Sequence, residues 1–206
     1  MTNIHIIIPV ADSSVQNFDS LVNELCGNYV PQDHTTTTHD ENGEGVEEVV
    51  ENPYKGSPAP DYSNNITLVS HSSLTPPTGS DNVVVSGDLN VAKLWNAGAA
   101  HAIQNGATHV VVLNEVSSIS PYVFEEAVAE HSEPVINLSD GGCFIVTPGV
   151  EANETYRWWF ADVDLFNSNE TATCRKEFID IVQENRVSIE GDMQGIIDAD
   201  IANYSA

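Results

Sequence analysis

Acidic and polar side chains follow several strand-like segments of this sequence, at the point where each segment ends. Carboxylates in such places can bind a divalent cation or accept the proton of a hydroxyl group. A single acid at a strand end is more often a helix cap or a turn residue, so convergence at one sheet edge is what would indicate a site. The candidates are Pro9, Ala11, Asp12, Ser70, His71, Asn114, Glu115, Asp162, Asp164, Glu190 and Asp192.

Short apolar, β-branched segments predict the strands that must position these residues. Ile4–Val10 reads IHIIIPV and His109–Leu113 reads HVVVL, a pattern typical of strands buried on both faces of a parallel sheet. Helical spacing of apolar residues predicts helices over 15–25 and 90–105. The alternation predicts an α/β fold with a mainly parallel sheet flanked by helices. Further strands are expected at 66–70, 83–85, 135–138, 143–147 and 187–189, and further helices after Ser120-Pro121, over 172–184 and from about Met193.

The 206 residues fit one domain, 1–206, with an insertion at about 31–65. That segment contains four consecutive threonines and many acids, and it shows no sustained hydrophobic period. We interpret it as an acidic, partly mobile loop. A solvated surface excursion is favoured over a lid or a loop that contacts an acceptor.

The charge balance restricts the partners of this chain. It has 31 acidic and 6 basic residues, for a net charge of −25, and such a surface repels the phosphate backbone of nucleic acids. The same charge fits solubility in a salty cytoplasm, or an anionic substrate carried by a metal ion. A bound phosphate would need backbone N–H groups, a divalent cation or the few bases Lys93, Arg157, Arg175 and Lys176.

Several common site types are not indicated. The sequence has no GxGxxG, P-loop, GxSxG, CxxC or HExxH motif. Cys26, Cys143 and Cys174 lack metal-type spacing, which favours a reducing compartment. With no leader-like segment and no apolar run long enough to span a bilayer, we expect a cytoplasmic protein that does not bind membranes.

Three segments resemble parts of family-2 glycosyltransferases, which have a GT-A fold. IHIIIPVAD is similar to the family's first strand, and NVAKLWNAGAAHAIQNGATHVVVLNE, from Asn90, is similar to its middle, where an Asn-x-Gly helix leads into a strand with an acidic metal motif. GGCFIVTPGVEANETYRWWFADVDLF, from Gly141, resembles the half that contacts the acceptor. The segments cover about half of the chain in the family's order, and look most like small transferases encoded by phages.

The resemblance implies a role for each matching residue. Asp162 would be the general base, supported by Asp164, and Glu115 with Glu190 would bind Mg²⁺ or Mn²⁺. The departures from the family pattern are Val116 and Ser117 after the single acid Glu115, and Ala161 where the family has Glu. The residues on the nucleotide-sugar side would be Pro9, Ala11, Asp12, His71, Lys93, Asn96, Gly98 and Asn114. The residues on the acceptor or sugar side would be Gly141, Gly142, Trp158 and Trp159. The alternative role of the two tryptophans is core packing.

The activity implied is transfer of a sugar, with inversion, from a nucleotide-diphosphate donor to a hydroxyl group. A UDP-sugar is weakly favoured as donor. Hydroxymethylated DNA, a virion or host protein and a glycan are the candidate acceptors, and the net charge disfavours DNA. Two alternatives remain open: a catalytically degenerate nucleotide-sugar-binding or assembly protein on the same fold, and an unrelated α/β domain whose matches are chance.

Overall fold

The computed structural model describes residues 2–10, 18–39, 45–113, 119–139, 142–158, 160–174 and 193–205. Strands and helices alternate along most of this part of the chain. The strands are β1 (Ile4–Val10), β2 (His34–His39), β3 (Gly45–Val50), β4 (Ile66–Ser70), β5 (Asp81–Val84), β6 (His109–Leu113), β7 (Val135–Ser139), β8 (Cys143–Val146) and β9 (Thr171–Thr173). The helices are α1 (Asp19–Leu25), α2 (Val91–Gln104), α3 (Tyr122–Glu130), α4 (Ala161–Ser168) and α5 (Met193–Tyr204).

Seven strands form one central sheet in the order β5-β4-β1-β6-β8-β7-β9. Only β8 is antiparallel to its two neighbours, and every other pair in this sheet is parallel. The predicted fold class, α/β with a mainly parallel sheet flanked by helices, is therefore confirmed. The antiparallel β8 makes the sheet mixed.

Strand β1 lies in the interior of the sheet, beside the central strand β6, because its sequence is apolar on both sides of the backbone. Ile6 and Ile7 point to opposite faces and are both fully buried. On its two edges β1 pairs with β4, in the register Ile7↔Thr67, and with β6, in the register Ile7↔Val112. Helices cover both faces, as a continuous apolar strand requires.

The two faces of the sheet have separate cores. Helices α1 and α3 pack on one face, where Leu25 and Phe124 are buried against Ile6 and Leu68. Helices α2 and α4 pack on the other face, against Ile7 and its neighbours. The molecule is a three-layer α/β/α arrangement.

The acidic insertion contains secondary structure that we did not predict. Strands β2 and β3 pair antiparallel, in the register Thr36↔Glu48, so the expected loop includes a hairpin. After the hairpin, Tyr54 stacks on Tyr122 of α3 with ring centroids 4.4 Å apart, and the Tyr122 hydroxyl donates to the Ser57 carbonyl at 2.9 Å. These contacts attach the end of the insertion to the main domain.

Two other expectations differ from the structure. The helix predicted over 172–184 is wrong at its start, because Ala172 lies in β9, where two flanking threonines favour strand pairing with β7. Residues 175–184, and the strand expected at 187–189, fall outside the described residues. Helix α4 was not predicted, whereas the other four helices were. No helix in the described ranges is both long and apolar enough to cross a membrane.

Candidate functional site

The strand order places a change of direction between β1 and β6. From β1 the chain adds β4 and then β5 on one side, and it places β6 on the other. In open parallel sheets, ligands bind in the crevice outside the carboxyl ends of the strands at such a switch point. The carboxyl edge of β1 and β6 is therefore the candidate functional site.

Pro9 ends the pairing between these two strands. The Ile6 N–H points to the β4 side, where it donates to the Asn65 carbonyl at 2.8 Å. Backbone groups alternate along a strand, so the nitrogen of Pro9 faces β6, and it has no hydrogen to donate. Pairing with β6 stops at Ile7↔Val112, whereas pairing with β4 continues to Val10↔Ser70. The proline thus separates β1 from β6 where a crevice is expected.

Helix α2 begins at this same edge because it follows the parallel strand β5. Its N-cap is Asn90, whose side-chain oxygen accepts from the backbone N–H of Lys93 at 3.0 Å. Lys93 lies in the first turn with a half-buried side chain. A basic residue and a helix N-terminus both favour a bound anion.

His71 connects three elements at the carboxyl edge. Its Nδ1 donates to the carbonyl of Val85 at 2.8 Å, and its Nε2 accepts from the backbone N–H of Asn90 at 3.2 Å. Both ring nitrogens are thus engaged, which assigns the Nδ1–H tautomer. His71 positions the start of α2, and a direct ligand bond from its ring nitrogens would require one of these bonds to open.

Asn96 and Gly98 also have contacts within the fold. The Asn96 amide pairs with the backbone of Ala152, accepting at 2.8 Å and donating at 2.9 Å, and it also donates to Glu154. Gly98 faces the sheet, and a Cβ there would lie 2.7 Å from a methyl group of Val69. The close approach that this glycine allows is between α2 and the sheet.

The acids Asp162 and Asp164 occupy the first turn of α4. Residue Arg157, shortly before this helix, accepts from the N–H of Val91 at the start of α2 at 2.7 Å. Helix α4 then leads to β9, which begins at the opposite edge of the sheet because it is parallel to β7. The first turn of α4 therefore lies on the carboxyl side, and both acidic side chains are partly exposed.

Asp200 is a buried acid that sequence reasoning missed. It lies on α5 and is fully buried, and its two carboxylate oxygens accept from the N–H groups of Arg157, at 3.1 Å, and Trp158, at 2.8 Å. The Arg157 guanidinium donates to the Leu89 carbonyl through Nε and an Nη at 3.2 and 3.1 Å. Asp200 thus fixes the backbone of Arg157 and Trp158, just before α4. An acid spaced within a C-terminal helix gives no sequence signal of this bond.

Tyr156 lies close to the acids of this region. Burial raises the pKa of its hydroxyl above the ordinary value, and the negative charge of Asp164, then Tyr204 and Asp200, adds to the effect. The phenol is therefore neutral at physiological pH. Its ring packs edge-on against Tyr204, with centroids 6.4 Å apart.

The acceptor side is described only in part. Trp158 is half-buried and packs against the core between the sheet and α2, and the N–H of Gly142 donates to the Ser139 carbonyl at 2.6 Å. Residues Ala11, Asp12, Asn114, Glu115, Gly141, Trp159, Arg175, Lys176 and Glu190 lie outside the described residues. In the sequence, residue 11 follows Val10, the last residue of β1, and residue 114 follows Leu113, the last residue of β6.

Comparison with known proteins gives little further information. No protein-family model and no curated protein matches the sequence. Among solved structures, the chain is similar to a proposed nucleotide-diphospho-sugar transferase from Desulfovibrio desulfuricans G20, with a TM-score of 0.41 and 10% identity over 99% of each chain. At this level of similarity the likeness assigns no function to the chain.

Proposed function

We propose that this protein is a glycosyltransferase that uses a nucleotide-diphosphate sugar. The observation that carries the proposal is the switch point between β1 and β6, with Lys93 at the start of α2 and the acidic first turn of α4 on the same carboxyl side. A nucleotide site at such an edge agrees with the general rule for open α/β sheets. The choice of reaction follows from the resemblance of the sequence to family-2 glycosyltransferases.

In this proposal, the end of β1 would contact the nucleoside, and Lys93 with the N-terminus of α2 would offset the charge of the diphosphate. Asp162 would accept the proton of the acceptor hydroxyl as that oxygen attacks the sugar carbon opposite the leaving diphosphate, which gives inversion. Asp164 would hold a second negative charge beside it. Trp158, with Trp159, would supply an apolar face for a sugar ring.

The residues proposed for a metal ion fit Mg²⁺ or Mn²⁺ by their chemistry. These ions prefer oxygen ligands, which the side chains of Glu115, Asn114 and Glu190 offer by their type. The described carboxylates Asp162 and Asp164 lie on the carboxyl side of the sheet. The metal would neutralise the charge that builds on the diphosphate. A UDP-sugar is our first candidate donor, and the protein would act in the cytoplasm, of a host cell if it is encoded by a phage.

The acceptor is a hydroxyl group, and we favour a glycan or a protein over hydroxymethylated DNA. A net charge of −25 opposes unaided binding to a duplex. Of the bases that could offset it, Arg157 already donates to the Leu89 carbonyl.

The proposal is tested by thermal shift with UDP, GDP, dTDP and their sugars, each with and without Mn²⁺. A ligand that binds the folded state raises the melting temperature by mass action. We expect a shift with one nucleotide that requires Mn²⁺ and is lost in Glu115→Ala. Asp162→Asn should keep the shift and lose sugar transfer.

A matched control removes a charge elsewhere. Glu51→Gln, an exposed position after β3, should keep both the shift and any transfer. A shift that does not require metal, without turnover, would favour the alternative of a nucleotide-sugar-binding or assembly protein. The absence of any shift would contradict both functions and leave an unrelated α/β domain.

A further inference from the structure

We propose that Glu130, His131 and Cys174 form a zinc site beside the edge strand β9, apart from the crevice between β1 and β6. Each of the three side chains offers one ligand atom, and these atoms all lie within 4.8 Å of one another. The residues come from α3, its C-terminal cap and the end of β9, so three donors from two distant parts of the chain meet at one place. The site depends on neither the proposed transferase nor its metal.

The spacing is close to what tetrahedral zinc requires. Zinc binds sulfur at about 2.3 Å and nitrogen or oxygen at about 2.0–2.2 Å, so its ligand atoms are separated by roughly 3.3–3.8 Å. Each separation here is at most 4.8 Å, so it needs to shorten by about 1.5 Å at most. Glu130 is exposed and His131 is half-buried, so both side chains can rotate to close the site.

Secondary structure fixes the backbone of each ligand. Glu130 is the last residue of α3, and the N–H of His131 donates to the Ala127 carbonyl at 3.0 Å. The partial negative charge at a helix C-terminus favours a cation. Cys174 is 7% exposed, and its N–H donates to the Asn137 carbonyl at 2.9 Å, which continues the pairing of β9 with β7.

The donor set selects the class of metal. Thiolate and imidazole favour zinc over Mg²⁺ or Ca²⁺, and three protein ligands leave one position for water. The Glu133 carboxylate lies 3.7 Å from Nδ1 of His131 and is held by the N–H of Ser132 at 2.9 Å. A carboxylate that accepts from the second ring nitrogen orients a metal-binding histidine, and Glu133 is the neighbouring carboxylate for that role.

A metal here would join the C-terminal end of α3 to β9, the outermost strand of the sheet. Strand β9 has three residues, and within the described part of the chain it pairs on one side only, with β7. Short edge strands gain stability from contacts beyond the ladder. Zinc bound here would therefore stabilise the folded domain, because the complete ligand set exists only in the folded chain.

The test loads purified full-length protein with Zn²⁺ and with Co²⁺ as a spectroscopic substitute. We expect one tightly bound zinc per chain in a chelator competition, a higher melting temperature, and a near-ultraviolet thiolate-to-cobalt charge-transfer band. His131→Ala and Cys174→Ser should weaken zinc binding by about tenfold or more, since even outer partners of a metal site contribute that much. The charge-transfer band should vanish in Cys174→Ser.

The control variants leave the ligands intact. Cys26→Ser removes a half-buried thiol elsewhere and should change neither the stoichiometry nor the cobalt spectrum. Far-ultraviolet circular dichroism checks that each variant is folded, and His131→Ala, at a half-buried position, keeps the test valid if Cys174→Ser unfolds. The proposal is overturned if the wild-type protein binds zinc no more tightly than His131→Ala does, or if its cobalt complex lacks the thiolate band.

Discussion

Side chains at the carboxyl edge divide into those that hold the fold together and those with room for a ligand. His71 and Asn96 bond to the backbone through both ends of their polar groups. Lys93, Asp162 and Asp164 are partly exposed. Among the described residues, the chemistry of a nucleotide-sugar site would therefore depend most on these three.

Gly98 lies where helix α2 packs closely against the sheet. A Cβ at this position would lie 2.7 Å from Val69 Cγ2 and 2.9 Å from Ile7 Cδ1. We expect Gly98→Ala to lower the free energy of unfolding by about 1–3 kcal/mol, because the added methyl overpacks the helix–sheet contact. Urea denaturation measures the change.

The control for this prediction is on the exposed side of the same helix. Ala100→Gly should cost about 1 kcal/mol from helix propensity alone. If Gly98→Ala instead stabilised the protein by a similar amount, α2 would lie farther from the sheet than the structure indicates.

His5 makes the stability of the fold depend on pH. Burial lowers the pKa of its imidazole below the ordinary 6.5, with His101 adding to the effect and Asp81 opposing it, and its Nε2 is 2.8 Å from the Thr67 hydroxyl. Because the unfolded chain takes up the proton more readily, stability is lost as pH falls below about 6.5. The loss attributable to His5 reaches at most about 1.4 kcal/mol at pH 5.5.

The comparison of wild type with His5→Gln isolates this contribution. Urea unfolding at about pH 7.5 and 5.5 should show a smaller pH effect in the variant. Burial also lowers the pKa of His109, but that residue is present in both proteins and its effect cancels. Equal pH effects in the two proteins would contradict a neutral, buried His5.

At the scale of elements, Asp200 attaches α5 to the short segment that leads into α4. Removing its carboxylate leaves two backbone N–H groups without their acceptor. We expect Asp200→Ala to destabilise the protein by about 2–4 kcal/mol, since two part-buried hydrogen bonds to a carboxylate are lost together. Chemical denaturation gives the value.

Asp198→Ala is the matched variant, because Asp198 is exposed on the same helix. Its cost should stay below about 1 kcal/mol, as for other surface charges. Equal effects of the two substitutions would mean that α5 does not dock through Asp200.

The elements that sequence alone predicts are those with a strong local signal. Strands β1, β4 and β6 have apolar runs, and α2 has Asn90 and Asn105-Gly106 at its ends. The threonine-rich sequence of the β2–β3 hairpin shows no sustained hydrophobic period, and β9 is too short to show one. The roles of His71 and Asp200 depend on partners far away in the chain, so local patterns do not reveal them.

At the scale of the whole molecule, the acidic surface opposes the compact state. A net charge of −25 on 206 residues produces repulsion that folding intensifies. Of the six lysines and arginines, Lys55 forms an ion pair with Asp33. Burial of apolar side chains in the two cores must therefore offset the remaining charge repulsion.

Screening should therefore stabilise this protein. Raising NaCl from about 0.1 M to 1 M shortens the Debye length from about 10 Å to 3 Å. We expect the melting temperature to rise across this range at neutral pH, and to rise less near pH 5, where more carboxylates are protonated. A melting temperature that falls with salt at neutral pH would show that attractive ion pairs dominate the surface.

The position of β1 in the sheet has a consequence for synthesis of the chain. This strand leaves the ribosome before the other strands of its sheet, yet it pairs with Ile66–Ser70 on one edge and with His109–Leu113 on the other. Until residue 113 has been synthesised, this apolar strand has at least one unpaired edge, and unpaired edges promote aggregation. Closing a contact from residue 4 to residue 109 also requires a long loop, which slows folding. The acidic segment translated in between keeps the nascent chain strongly charged during that interval.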